Sequence, residues 1–194
     1  VVRGAPLDPA GRFFLPLWTD FGVNGPLGIL DWYTVPVGVA AFAALVQHGA
    51  LWVALKTEGD VARRASNVAG AVWFLVAAMT VLVTILTFRV QPQAGANLSA
   101  HPWGYVFPLL AVGGLVAVLA RGRNRRPVVG FLGSCAYLAG MLSSAAFGIF
   151  PYVLPARPAS SLGLTIYNTA AGAYGLRVGL YWYIPGMLLA LGYF

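Results

Sequence analysis

Beyond Asp60 the chain has no aspartate or glutamate at all. Its five acidic residues are Asp8, Asp20, Asp31, Glu58 and Asp60. Charged residues of both signs make up 9% of the 194, against 59% hydrophobic, whereas soluble domains run near a quarter charged. So little charge cannot cover a water-facing surface, and lipid is the expected solvent for most of the chain. Cysteine is nearly absent too. Cys135, the single one, excludes an internal disulfide and any cysteine-held zinc or iron–sulfur centre. It lies between Ser134 and Ala136 in an apolar run and reads as a small residue at a helix contact. There is no glycine-rich phosphate loop, no Ser/His/Asp or Cys/His set, and no pair of intramembrane carboxylates. On these absences the chain reads as a membrane scaffold or passive subunit. It has no initiator methionine and no signal peptide and ends inside an apolar run, so the expectation is a piece of something longer, or one half of a split protein.

What is present is a set of apolar runs with basic ends. At about 1.5 Å per residue, a hydrocarbon core of about 30 Å takes roughly 20 residues per helix. Spans are expected at about Trp32 to Leu55, Asn67 to Phe88, Trp103 to Ala120 and Val128 to Phe150, with a last helix starting near Val178. The fold class is thus an all-α membrane protein: a four-helix transmembrane bundle plus a partial fifth helix. The expected divisions are an outer-side interfacial segment (1–31), the bundle (32–152), an outer-side loop (153–177) and the start of a peripheral helix (178–194). Pro6, Pro9, Pro16 and Pro26 break any helix in the first segment. Its Phe13, Phe14, Trp18 and Phe21 belong at headgroup depth. Asp20 and Asp31 suit N-cap or interface positions, and residues 89–101 read as a loop.

The net charge of +7 would suggest nucleic acid on a soluble protein. Here the basic residues cluster at the ends of apolar runs, so nucleic acid is excluded as a partner. Lys56, Arg63 and Arg64 lie in one turn, and RGRNRRP places Arg121, Arg123, Arg125 and Arg126 in another. Four alternating spans put both turns on one side, which the positive-inside bias makes cytoplasmic.

His48, in VQHGALW, is the one histidine within a span. It is a candidate haem or metal ligand, weighed against a neutral imidazole bonded to a neighbouring helix. The only other histidine, His101, falls in a loop. Glu58 and Asp60, with Lys56, are candidates for a proton route or a charge network. The structural alternative is that Glu58 and Asp60 neutralise Lys56, Arg63 and Arg64, with Glu58 favoured near a helix N-terminus. The four arginines of 121–126 suit anionic lipid headgroups. Thr80, Thr84 and Thr87 share one helix face, a polar stripe that helix–helix hydrogen bonding explains as well as transport does. A small transporter or channel module using His48 is the rival function, though no span is broken in its middle as such folds require.

HGALWVALKTEGDVARRA resembles the cytoplasmic hairpin in the second half of subunit II of cytochrome bd quinol oxidases. VVRGAPLD…FFLPLWTDF…GPLGILDWYTVPVG is similar to the segment leading into that family's fifth helix. SSAAFGIFPYVLPARPASSLGLTIYNTAA is similar to its FP–LP turn and the Ser-Leu-Thr segment after it. The matches stand in family order and cover most of the chain. After Thr165, IYNTAAGAYGL departs from the pattern by lacking a Ser-Ser pair. The resemblance implies the second of two related four-helix bundles, with the last helix, from about Val178, opening the peripheral helix. It implies a bacterial cytoplasmic (inner) membrane protein whose partners are subunit I, the missing N-terminal half of subunit II, lipids and quinone. It also implies that this chain holds no catalytic residue, metal or haem, that haems b and d lie in subunit I, and that a quinone or lipid packs in an apolar groove.

Overall fold

The computed structural model describes residues 2–8, 12–19, 21–23, 26–124, 126–157 and 162–193, with the backbone alone for 121–124. Asp20, Arg125, Pro158, Ser160 and Ser161 lie outside the described residues. The elements are α1 (Thr34–Lys56), α2 (Gly59–Val90), α3 (Pro92–Ala100), a 3-10 turn (Pro102–Tyr105), α4 (Val106–Asn124), α5 (Pro127–Ile149), β1 (Tyr152–Leu154), β2 (Leu164–Thr165) and α6 (Ala173–Tyr193). Of the described residues, 72% are helical. Among the described residues, four helical stretches are long and apolar enough to cross a membrane: Thr34–Lys56, Gly59–Val90, Pro102–Ala120 and Pro127–Ile149.

Asp31 starts α1. Its Oδ1 accepts from the backbone N–H of Tyr33 and Thr34, both at 2.9 Å, and the Thr34 hydroxyl oxygen accepts from the Asp31 N–H at 2.9 Å. This reciprocal arrangement satisfies donors that a helix start leaves orphaned. α1 and α2 are separated by Thr57 and Glu58 alone, with Gly59 at φ +62 opening α2. The charged stretch is therefore a tight helical hairpin whose second half, from Gly59, already belongs to α2. Asp60 pairs with Arg63 at 2.8 Å one turn into α2, both well exposed. Hydropathy marked the lipid-crossing part from Asn67, but a helix of 32 residues is about 48 Å long and must project beyond the hydrocarbon.

The stretch 89–101 is not a loop. Pro92 occupies the first turn of α3, where its missing N–H is harmless. Ala94 and Asn97 are buried against the end of α5. The 153–177 stretch likewise holds structure, with β1 and β2 antiparallel and α6 beginning at Ala173, five residues before the expected Val178. No residue of α6 is buried.

Small residues set the α4–α5 contact. A Cβ on Gly114 would lie 2.5 Å from the Gly133 carbonyl oxygen, and one on Gly140 would lie 2.5 Å from the Ala111 nitrogen. These glycines let two backbones touch where side-chain bulk would hold them apart. The central cluster joins Ala43 and Ala44 of α1, Val76 of α2, Ala111 and Leu115 of α4, and Tyr137 of α5.

Candidate functional site

Four polar constellations stand out on this bundle. The first runs along α2. Trp73, Thr80 and Thr87 recur at seven-residue intervals, so they share a face, and each reaches a different element. Trp73 Nε1–H donates to the Leu115 carbonyl of α4 at 2.9 Å. Thr80 meets the Tyr137 phenol of α5 at 2.7 Å, and Thr87 meets the Tyr33 phenol at 2.8 Å. Both threonine hydroxyls donate to the carbonyl four residues back, at 2.7 Å, so the phenols supply the proton across the interface. Thr84 bonds only to the Thr80 carbonyl of its own helix. The threonine stripe therefore joins helices at two of its three positions. Gln47 adds a fourth tie, donating from α1 to the Ala69 carbonyl at 3.3 Å.

The second constellation contains His48. Its Nδ1 lies 2.8 Å from Ser134 Oγ, and that hydroxyl donates to the Phe131 carbonyl at 2.7 Å. With the hydroxyl proton so committed, Nδ1 carries the imidazole proton. The ring stacks on Phe131 at 5.0 Å, Trp52 also packs on Phe131 at 5.1 Å, and Lys56 Nζ sits 4.8 Å above Trp52. His48, Trp52 and Lys56 follow one another at i, i+4 and i+8, a single ladder toward the α1–α2 turn. His101 follows α3 at the opposite end of the bundle, so the two histidines cannot face one metal or haem iron. Among the described residues no three of His, Cys, Asp and Glu gather as metal ligands would.

The third constellation seals the end of the bundle away from the α1–α2 turn. Arg3, buried, pairs with Asp31, also buried, and lies 5.4 Å from the ring centre of Trp32. Asp31 thus caps α1 with one oxygen and pins the N-terminal segment with the other. Arg157 donates through its guanidinium to the Val90 carbonyl at the end of α2, and its backbone N–H bonds Ala5 at 2.9 Å. The Asn97 amide is shared among the carbonyls of Phe147, Gly148 and Phe150, at 3.0, 3.2 and 2.7 Å. The fourth is a cleft of about 460 Å³ walled by Trp103, Phe107, Phe147 and Phe150, with His101 and Ser143 as its polar groups. Gly104 has no side chain, which lets the Phe147 ring lie against the 3-10 turn.

Lys56 lies over Trp52, Asp60 pairs with Arg63, and Glu58 makes no side-chain cap bond at the α2 start. Arg126 is exposed at the start of α5. Sequence reasoning passed over Tyr33, Asn97, Arg3 and Tyr137. A phenol or indole inside a lipid-facing run is a signal, because its polar tip needs a partner there.

Comparison with known proteins gives the family. The family model for cytochrome bd terminal oxidase subunit II matches residues 1–194. The chain belongs to that family. A probable cytochrome oxidase subunit 2 of Haemophilus influenzae is 26% identical over 190 residues, covering 85% of this chain and 50% of the relative. Cytochrome bd ubiquinol oxidase subunit 2 of Bacillus subtilis is 24% identical over 170 residues, covering 84% of this chain and 48% of the relative. The chain spans about half the length of these curated relatives.

Proposed function

We propose that this chain forms one four-helix half of subunit II in a bd-type terminal oxidase. The assembled enzyme oxidises quinol and reduces dioxygen to water in the respiratory chain. The chain's part is to supply packing surface for that enzyme. The observation that carries this reading is the family match from end to end, on a bundle where Gln47, Trp73 and Thr80 bond to neighbouring helices. His48 is bonded to Ser134 and stacked on Phe131, and it shares no site with His101. That arrangement suits an anchoring histidine, with haems b and d held by subunit I.

The α1–α2 turn and the 121–127 turn face the cytoplasm of a bacterial inner membrane in this reading, where Arg121, Arg123, Arg125 and Arg126 meet anionic headgroups. Each such charge near the surface contributes about 1 kcal/mol. Lys56, Glu58 and Asp60 act as surface charge and not as a proton route. The cleft at Trp103 and Phe147 suits a quinone ring or a lipid chain, since aromatic walls and two polar groups are what such a ligand needs.

The test is a reduced-minus-oxidised spectrum of the complex purified through a tag on this chain. Haem b and haem d bands that co-purify in constant ratio with the chain are expected. A chain that purifies from its native membrane without either band contradicts the reading.

A further inference from the structure

The first residues of the chain alternate in burial. Arg3, Ala5 and Leu7 are buried, while Val2, Gly4 and Pro6 between them are partly exposed. A period of two marks an extended strand with one face covered. Each inward residue holds a different partner. Arg3 pairs with Asp31 at the start of α1. Ala5 bridges Ala156 in parallel: its N–H donates to the Pro155 carbonyl and its carbonyl accepts from the Arg157 N–H, both at 2.9 Å. Leu7 joins Ala5 and Ala156 in a small apolar cluster closed by Leu154, Leu162 and Leu164.

That cluster draws no residue from the helices. This end of the molecule therefore has a core of its own, beside the one that α1, α2, α4 and α5 share. Gly4 is fitted to it. Its φ is +90, and a Cβ there would lie 2.9 Å from the Pro155 carbonyl oxygen, a combination that glycine accommodates without strain. Arg157 fastens the other edge, with its guanidinium on the Val90 carbonyl, where the C-terminal end of α2 favours a cation. The strand and residues 154–164 thus form a cap, tied to α1 through Arg3 and to α2 through Arg157.

We infer that residues 3–7 are a strap that latches this cap, and that the cap opens and closes as one unit while the spans stay folded. A core with few buried apolar side chains opens at a lower free energy than a packed bundle. The coupling comes from the strap's shape. Arg3, Ala5 and Leu7 are alternate residues of one extended strand, roughly 7 Å apart in turn. Lifting Arg3 from Asp31 therefore pulls the Ala5 backbone away from Pro155 and Arg157. The device stands apart from the oxidase reading and does not rest on it.

The test is hydrogen exchange, resolved to single amides, on the chain in the complex with which it purifies. In the unchanged protein the Ala5 and Arg157 amides should share one protection factor, below that of amides in the middle of α4 and α5. Arg3→Met leaves the Asp31 carboxylate buried without its partner, and opening relieves this by hydration. Exchange at Ala5 and at Arg157 should then rise by a common factor, about tenfold or more, with α4 and α5 unchanged. Leu7→Ala, at the other end of the strap, should raise the same two amides through its lost apolar contact. A rise at Ala5 with Arg157 unmoved overturns the latch, since the two would open separately. A matching rise in α4 and α5 also overturns it, since the cap would then be no unit apart from the bundle. If neither variant accumulates in the membrane, the unchanged protein decides, and unequal protection of the Ala5 and Arg157 amides overturns the inference.

Discussion

Single side chains in this molecule bind elements that have little else in common. The Asn97 amide holds three carbonyls at the end of α5, where four carbonyls of any helix lack intrahelical partners. Asn97→Ala should lower stability by about 1–3 kcal/mol, the cost of orphaning buried polar groups, read as an earlier thermal unfolding in detergent. Tyr137→Phe is expected to be milder. Thr80 keeps its bond to the Val76 carbonyl, so only the interhelical bond goes, worth about 0.6 kcal/mol on average in a membrane. Asp31 carries more. Asp31→Ala removes the cap of α1 and strands the buried Arg3, and breaking a buried pair costs about 3–5 kcal/mol. Arg3→Met combined with Asp31→Asn should recover most of that in the same unfolding assay, because no charge is left unpaired. A double variant as unstable as Asp31→Ala alone would show that the pair itself is not what matters.

Elements are held at distances that glycine sets. Gly140→Val should force α4 and α5 apart, since even its Cβ would overlap the Ala111 backbone, and the chain should fail to accumulate in membranes. Gly113→Ala on the facing helix α4 meets open space and should accumulate as the unchanged protein does. Immunoblotting of membrane fractions separates the two. At this scale the sequence was a good guide to what lipid dictates and a poor one to what packing dictates. The four spans fall within a few residues of the apolar runs at most ends, and Asp31 reads as a cap from its place ahead of α1. α3 was invisible because nine residues, PQAGANLSA, carry no apolar period. It exists because Asn97 and Ala94 bury against α5. The start of α2 was missed because hydropathy reports immersion and not helicity. The inter-helix bonds of Trp73, Thr80 and Thr87 were half legible. The threonine stripe marks the face, but the partners Leu115, Tyr137 and Tyr33 depend on how the helices stack.

For the molecule as a whole, orientation and chemistry remain as two separate expectations. Orientation rests on the basic turns. With Cys135 replaced by Ala, a cysteine at Glu58 should resist a membrane-impermeant maleimide in intact spheroplasts and react after permeabilisation. One at Thr169 should react at once. The opposite pattern would invert the bundle. Chemistry rests on the histidines. His48 faces Ser134 and Phe131, and His101 closes the cleft at the other end of the bundle, so the account assigns neither to a haem. The most direct test is the haem content of the purified oxidase carrying His48→Ala and His101→Ala together. The account predicts haem b and haem d in the same ratio to protein as in the unchanged complex. Loss of any haem band from a complex that still contains both subunits would contradict it.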